Sequence, residues 1–338
     1  MFSTFSTLST SAVSAAVLVA TLTGTLAGTT PASASAPRPA PAASASAGPV
    51  TVTGARIAVH FDLAGGQTPE NVALAPDGSS YVTFAKARRI AKLSPDGTSR
   101  ILATLPAPAD GGVHTPAMGF PLTTGIVRAS DGTLYFLYAT GTADLTGVWR
   151  LRPGGQPRRI AALPADGLPN GLALDSRGRT LYAADSVLGT VWSVPTAGGT
   201  PTAWSTAPEL AAAGFLGANG LKFHDGSVWT TNTDRGTVLR IPVRRDGSAG
   251  PVRTEATGLP GIDDIAFTGC GDQLLAAIDA TSEVALVRSD GSHTTVLTPA
   301  DGLQNPTAIA LRGSTVHVMS AAWLTAEDPN LVVARLNR

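Results

Sequence analysis

The sequence predicts an all-β protein, specifically a six-bladed β-propeller, and three observations support this fold class. Glycine and proline are abundant, with 37 and 25 residues in a chain of 338, and charged residues make up only 14%. This composition indicates many turns rather than many helices. Short apolar runs are separated by turn residues, as is typical of short strands. Finally, a five-residue pattern recurs along the chain.

The recurring pattern consists of a polar residue, a usually small residue and a mostly apolar triplet, with a turn soon after. Successive copies begin roughly 44 to 54 residues apart, close to the ~40–50-residue period of a four-stranded propeller blade. The copies occupy residues 70–74, 124–128, 170–174, 219–223, 263–267 and 307–311. Each copy is predicted to form the innermost strand of one blade.

The third copy shows the succession of strands expected within a blade. Further strand signals follow it at Leu181–Ala184, Thr190–Val194 and Pro201–Trp204, separated by turn residues. The sixth copy supplies only three strands, the last at Leu331–Arg335, whereas a strand signal at Arg56–Phe61 precedes the first copy. We therefore expect the N-terminal strand to complete the last blade, because closing the ring protects the sheet edges.

Three regions are predicted along the chain. Residues 1–34 resemble an export signal, because no charged side chain precedes Arg38 and an apolar stretch leads to small-residue cleavage sites, although the first residues lack the usual Lys or Arg. Residues 35–49 are rich in Ala, Pro and Ser and are predicted to be a disordered spacer. Residues 50–338 form the predicted propeller. We expect a secreted protein with no stable membrane span after cleavage; an uncleaved anchor is the alternative.

Charge and cysteine content exclude some classes of function. Lys and Arg total 24, and Asp and Glu also total 24, so a basic face for nucleic acid is not expected. The single cysteine, Cys270, excludes an intrachain disulfide and a thiolate metal cluster. Any metal is therefore expected to have mainly oxygen or histidine ligands.

The first residue of each copy is expected to line the central channel, so that these residues form a ring. Four of the six carry oxygen ligands: Glu70, Asn170, Asn219 and Asp263. Two carboxylates and two amide oxygens that face one point would be costly if unpaired, but they suit a hard cation. Calcium is the expected occupant, with another divalent cation possible. The ring has no nitrogen or sulfur ligands, which argues against zinc.

The other residues near this ring have different expected roles. Thr124 and Thr307 are expected to line the channel without touching the metal. Asp264 stands where other copies carry Gly171 or Gly220, so we expect its side chain to point off the ring and to accept a local hydrogen bond. A purely structural interpretation of the two asparagines is the alternative, because Asn-Gly is a common turn pair.

The same residues carry a family resemblance. Pro69–Ala73, Leu168–Ala173, Gly217–Leu221 and Gly261–Ala266 resemble the senescence marker protein/gluconolactonase/luciferin-regenerating-enzyme-like family of six-bladed calcium propellers. This family is related to diisopropylfluorophosphatase and serum paraoxonase. The resemblance spans roughly residues 55–338 and implies that the four oxygen-bearing ring residues bind a catalytic metal. The family more often has Gly at the position of Asp264.

The resemblance implies a calcium-dependent hydrolase whose small-molecule substrate is a lactone or a related ester. The cation would polarise the carbonyl, and Asp263 would act as ligand, base or nucleophile. His114 is the histidine expected to transfer a proton, because it lies in the longest connection between copies, on the face where the ring opens. A solvated loop histidine is the alternative. His60 is expected to pack within a strand and His224 to lie in a turn.

Two other functions are compatible with a propeller. A non-enzymatic propeller that binds a ligand or a partner could use the same four residues to hold a structural calcium. A metal-free condensing propeller similar to alkaloid synthases fits less well, because such relatives do not need the ligand ring. Hydrolysis assays with calcium and with a chelator would separate the enzyme from the binding protein.

Overall fold

The computed structural model describes residues 50–111 and 114–338. Within them, 24 strands form six four-stranded antiparallel sheets, and the only helical segments are short 3₁₀ turns at Pro208–Leu210 and Pro299–Asp301. No helix in this part of the chain is long and apolar enough to cross a membrane. The prediction of an all-β, six-bladed β-propeller is confirmed. The predicted export signal (1–34) and spacer (35–49) lie outside the described residues.

The strands follow one another blade by blade. The first strand of the chain is β1 (Thr51–His60). Blades one to three contain, from the inside outward, β2 (Pro69–Leu74), β3 (Ser80–Phe84), β4 (Arg89–Leu93) and β5 (Ser99–Thr104); β6 (Leu122–Arg128), β7 (Leu134–Ala139), β8 (Gly147–Leu151) and β9 (Arg158–Ala162); and β10 (Pro169–Leu174), β11 (Thr180–Asp185), β12 (Thr190–Pro195) and β13 (Thr202–Ser205).

The remaining blades follow the same order, except that the last one takes its outer strand from the N-terminal end of the described region. Blades four to six contain β14 (Ala218–His224), β15 (Ser227–Asn232), β16 (Thr237–Pro242) and β17 (Arg253–Ala256); β18 (Ile262–Phe267), β19 (Leu274–Ile278), β20 (Glu283–Val287) and β21 (His293–Leu297); and β22 (Pro306–Arg312), β23 (Thr315–Ser320) and β24 (Asn330–Asn337) with β1. The first strand of each blade contacts the first strands of both neighbouring blades. The six recurring copies therefore surround one central channel.

Strand β1 closes the ring, as predicted. It pairs antiparallel with β24 from Thr51 opposite Asn337 to His60 opposite Asn330, and it therefore begins earlier than the sequence pattern suggested. Its residue Ile57 packs against the apolar cluster between blades five and six. Ile57 is partly buried, so its packing contributes less than the about 1.5–3 kcal/mol of a fully buried side chain. Strand β1 thus covers the edge of β24 and also extends the core.

The apolar core lies between adjacent blades. One cluster joins Ile90 and Leu105 of blade one to Phe136 and Tyr138 of blade two, and all four side chains are fully buried. Equivalent clusters join the other blades around the ring. This interblade packing holds the inner strands at fixed positions around the channel.

Steric crowding explains why the second residue of the recurring pattern is small. A Cβ atom at Gly125, Gly171 or Gly220 would overlap main-chain atoms of the next inner strand. The oxygen that it would meet belongs to Asn170, Asn219 or Asp263, respectively. Glycine therefore lets neighbouring inner strands approach closely beside three of the predicted ligands.

Two predictions about histidines were wrong. His60 does not pack in the core: its side chain is exposed, and Nδ1 lies 2.8 Å from Oδ1 of Asp328. His224 is the last residue of β14 rather than part of a turn, and its ring stacks on Phe267 with 3.7 Å between centroids. In both cases the side chain lies at the end of a strand, where strand and turn patterns overlap.

Candidate metal centre

The four predicted ligands lie near the start of four inner strands and face the channel from different blades. All are buried, with exposed fractions of 7% for Glu70, 8% for Asn170, 2% for Asn219 and 9% for Asp263. Because β10, β14 and β18 are consecutive around the ring and β2 is the second strand beyond β18, the four side chains surround one end of the channel. The structure therefore places the four predicted residues at the same end of the channel, and their binding of a metal stays a prediction.

The two ring threonines hold neighbouring blades rather than a cation. Thr124 Oγ1 donates a 2.8 Å hydrogen bond to the carbonyl of Pro169, and Thr307 Oγ1 donates a 2.9 Å hydrogen bond to the carbonyl of Pro69. In each case the accepting carbonyl immediately precedes a predicted ligand. These bonds fix the main chain from which the ligand side chains extend.

A hydroxyl group orients the amide of Asn170. Ser186 Oγ donates its one proton to the carbonyl of Ala218 at 2.7 Å, so it can only accept from Asn170. The Nδ2 group of Asn170 accordingly donates to Ser186 Oγ at 3.3 Å. The amide oxygen Oδ1 of Asn170 is therefore left for another partner.

Asn219 is oriented in the same way one blade further on. Its Nδ2 group donates to Thr233 Oγ1 at 3.0 Å, while Thr233 Oγ1 donates to the carbonyl of Ile262 at 3.0 Å. Hydroxyl groups behind the two amides thus orient their oxygens before any metal binds. Such outer contacts commonly fix the geometry of metal ligands.

Burial and neighbouring negative charge oppose ionisation of the two ring carboxylates, and the charge of Lys222 offsets only part of this effect at Asp263. Burial raises the pKa of Glu70 to about 8, an effect that a hydrogen bond from Trp323 offsets in part and that the charges of Asp279 and Asp264 increase. Burial, followed by the charge of Glu70, also raises the pKa of Asp263 well above its usual value. A cation between the two carboxylates would favour their ionised forms and so lower both raised pKa values.

The donor set fits a hard divalent cation. Two carboxylates and two oriented amide oxygens are ligands that calcium prefers, and they leave coordination positions for water or substrate. Within residues 50–111 and 114–338, no three His, Cys, Asp or Glu side chains are grouped to hold a metal. The candidate centre therefore depends on the asparagines as well as the carboxylates.

Sequence analysis missed a third carboxylate beside the ring. Asp279 follows β19 directly, at the position that Ser186 occupies after β11 and Thr233 after β15. Its charge raises the pKa of both Glu70 and Asp263. Burial raises the pKa of Asp279 itself to about 6. Comparison of the second strands of blades three to five, in addition to the inner strands, would have found this residue.

Asp264 lies off the ring, as expected. Both of its carboxylate oxygens accept hydrogen bonds from Lys222 Nζ, at 2.6 and 2.7 Å, and the main-chain N–H of Ile309 donates to Oδ2 at 3.3 Å. This partly buried ion pair joins the inner strands of blades four and five.

His114 contacts an aspartate of its own loop. Its side chain is half exposed, and Nε2 lies 2.7 Å from Oδ2 of Asp110 in the same loop. The hydrogen bonds and ion pairs found for His114 in the described part of the chain involve this aspartate alone. A catalytic role for His114 stays a prediction from sequence.

An apolar wall stands beside the ring. It consists of Met118, Phe120, Val187, Leu216 and Trp323, which pack together with buried residues of blades one to three. The Phe120 and Trp323 rings lie 5.9 Å apart. Because loops from several blades supply these residues, no single segment of the sequence indicates the wall.

Trp323 connects this wall to the ligand ring. Its indole Nε1 donates a 3.0 Å hydrogen bond to Oε2 of Glu70. The Nζ atom of Lys86 lies 5.0 Å from the Trp323 ring and 5.6 Å from the Phe120 ring, distances at which a cation is attracted to the aromatic face. The wall therefore orients one carboxylate and holds one ammonium group at its surface.

Fold and site together define a six-bladed β-propeller with a buried ring of oxygen-bearing side chains at one end of its channel. No protein-family model matches the chain, and no curated protein sequence matches it. Solved structures do match.

A gluconolactonase from Xanthomonas campestris is similar with a TM-score of 0.58 and 16% identity, over 86% of this chain and 98% of the other. A catalytically inactive virginiamycin B lyase from Staphylococcus aureus gives a TM-score of 0.57 and 16% identity, over 80% and 82%. The PQQ-bound aldose sugar dehydrogenase from Streptomyces coelicolor gives a TM-score of 0.59 and 14% identity, over 86% of this chain and 99% of the other. At these identities the similarity shows the fold, which serves different chemistries in these proteins.

Proposed function

We propose that this protein is a secreted, calcium-dependent hydrolase that opens a lactone or a related ester. The observation that carries this proposal is the orientation of the ring: two amide oxygens, fixed by Ser186 and Thr233, accompany two buried carboxylates. The similarity of the fold to that of a gluconolactonase supports the proposal, as does the resemblance of the ring motifs to calcium propellers. The export signal predicted over residues 1–34 supports secretion.

Glu70, Asn170, Asn219 and Asp263 would hold the cation. When bound there, calcium would polarise the carbonyl of the substrate and stabilise the negative charge that develops on its oxygen. Trp323 keeps Glu70 in place through its indole N–H. The apolar wall excludes water from one side of the ring, which strengthens electrostatic interactions there.

Asp279 is the residue positioned to accept a proton from an attacking water molecule. Its Oδ1 atom is buried and has no hydrogen-bond partner among the described residues. It lies close enough to Glu70 and Asp263 for its charge to act on both. In this arrangement Asp263 acts as a ligand and Asp279 Oδ1 receives the proton.

Removal of the metal tests the proposal directly. We expect the protein to hydrolyse at least one of three probes, glucono-1,5-lactone, an alkyl-substituted δ-lactone and phenyl acetate, when calcium is present. Turnover should disappear with EDTA and return when calcium is added in excess, because the carbonyl loses its electrophile. Activity that EDTA leaves undiminished would contradict the metal mechanism. Calcium-dependent stabilisation without turnover of any probe would favour the non-enzymatic propeller.

Replacement of Trp323 by phenylalanine tests how Glu70 is oriented. Trp323→Phe keeps an aromatic ring in the apolar wall but removes the N–H that Glu70 accepts, so we expect calcium affinity to fall about tenfold. Calorimetric titration with calcium would measure this change. Trp204→Phe is the matched control, because that indole donates to the carbonyl of Gly247. Equal calcium affinity in wild type and Trp323→Phe would show that the hydrogen bond does not position the ligand.

A further inference from the structure

A cavity lies at the end of the central channel opposite the ring of predicted ligands. It has a volume of about 530 Å³. All six inner strands run in the same direction along the channel, so the ligand ring lies at their first residues and this cavity at their last. The fifth residues of the recurring pattern line it: Leu74, Arg128, Leu174, Phe223, Phe267 and Leu311.

The cavity is separate from the candidate metal centre. Lys222 and Asp264 form their two short contacts between the two ends of the channel. Lys222 lines the cavity, whereas no predicted metal ligand does. A ligand in this cavity would therefore not touch the ring.

The wall of the cavity is apolar and preformed. Five of the six fifth-position residues are Leu or Phe, and they are half buried rather than covered by other side chains. Phe267 stacks on the ring of His224 and makes an edge-to-face contact with Trp229, at 5.1 Å between centroids. A cavity of this size and composition, built on rigid strands, is typical of a small-molecule site.

Arg128 is the exception among the fifth-position residues. Its Nε atom is buried and finds no hydrogen-bond acceptor among the described residues. The nearby carboxylate of Asp131 accepts from Thr133 instead, at 2.9 Å from the main-chain N–H and 3.1 Å from Oγ1. Arg128 interacts with the charge of Asp131, but Nε has no acceptor. Buried polar donors are nearly always paired, so this N–H is left for an acceptor that enters the cavity, which Arg128 lines.

The other ionisable groups of this cavity already have partners. Lys222 is paired with Asp264, and Nε2 of His224 lies 3.4 Å from Oδ1 of Asp272. Among the described residues, no Asp or Glu side chain lines the cavity, and Asp131, whose charge interacts with Arg128, lies outside the lining. An incoming anion would therefore meet Arg128 without direct competition from a lining carboxylate.

We propose that this cavity binds an amphipathic monoanion, namely a carboxylate with an apolar tail. The carboxylate accepts hydrogen bonds from Arg128, and the tail lies against the leucine and phenylalanine side chains of the other strands. Charge-assisted bonds from a guanidinium group to a carboxylate are strong and geometrically specific. The apolar tail gains the rest of its affinity from the surface that it removes from water.

Octanoate is a suitable probe for calorimetric titration of the protein. We expect one saturable site, with much weaker binding of acetate, which lacks the tail, and of octan-1-ol, which lacks the charge. Arg128→Gln should weaken octanoate binding at least tenfold, because it removes the charge but keeps similar length. Arg152→Gln is the matched control: this arginine is exposed and lines a different groove, so its variant should bind octanoate as wild type does.

A second variant tests the cavity without changing charge. Ala310 lines the cavity, and Ala310→Phe should fill part of its volume and lower octanoate affinity. Thermal unfolding would confirm that both variants fold. The Asp263→Ala variant should still bind octanoate, so failure of the proposed hydrolase function leaves this result unaffected. The proposal is overturned if octanoate does not saturate, if octan-1-ol binds equally well, or if folded Arg128→Gln and Ala310→Phe bind as wild type does.

Discussion

Asp263→Ala and Glu70→Ala are each expected to abolish both the stabilisation of the protein by calcium and the turnover of a lactone. Each change removes one of the two carboxylates of the ring and leaves one carboxylate with two neutral amides. A calcium site depends strongly on the number of charged ligands, so we expect affinity to fall by more than about 100-fold. Calcium titration, calcium-dependent thermal unfolding and initial rates would measure the three effects.

The stability of these variants without calcium separates loss of a ligand from loss of the fold. Burial and neighbouring charge raise the pKa of Glu70 and Asp263, so each group lowers the stability of the calcium-free protein once the pH exceeds the ordinary pKa of a carboxylate, and an alanine at either position removes this cost. Without calcium, both variants should therefore unfold at or above the temperature of the wild type. Glu327→Ala, which changes an exposed carboxylate, should retain the calcium response. Retained turnover in either ring variant would contradict the assignment of the ligands.

The sequence predicted those features of the site that recur at one position of the repeat. The place of each predicted ligand in the ring and its oxygen-bearing side chain could both be found in this way, because each is the first residue of a copy and lies near the start of an inner strand. The glycine at the next position of the repeat is explained by steric crowding, since a side chain at Gly171 would overlap the main chain of Asn219. Asp264 was expected to accept a local hydrogen bond, but the identity of its partner, Lys222, depends on how two inner strands are placed side by side.

The residues behind the ring could not be predicted from the inner strands. Ser186 and Thr233 orient the asparagines from the ends of second strands, and their role depends on which carbonyl each hydroxyl reaches. Trp323 is far from Glu70 in sequence, and only closure of the ring brings blade six beside blade one. These contacts join different blades, so they depend on how the blades are placed around the ring and not on the local sequence pattern. For His114, loop position alone suggested a role near the ring; the structure pairs it with Asp110, and its role near the ring stays a prediction.

Ring closure itself leads to the second large expected effect. A protein that begins at residue 61 should be much less stable than one that begins at residue 50, because it lacks β1. The ladder between β1 and β24 and the packing of Ile57 would both be lost. We expect a loss on the order of 5 kcal/mol from these hydrogen bonds and buried side chains together, and the exposed edge of β24 should promote association between chains.

Thermal unfolding and size-exclusion chromatography of the two proteins would measure these effects. The protein that begins at residue 50 is the control, because it lacks the predicted signal and spacer but keeps all 24 described strands. A peptide with the sequence of Thr51–His60, added to the shortened protein, should raise its unfolding temperature and reduce association, since it can occupy the vacant edge of blade six. Equal unfolding temperatures for the two proteins would show that β24 does not need its partner. In that case the stability of the propeller would arise from interblade packing alone, and the N-terminal strand would be an addition to a ring that is already stable.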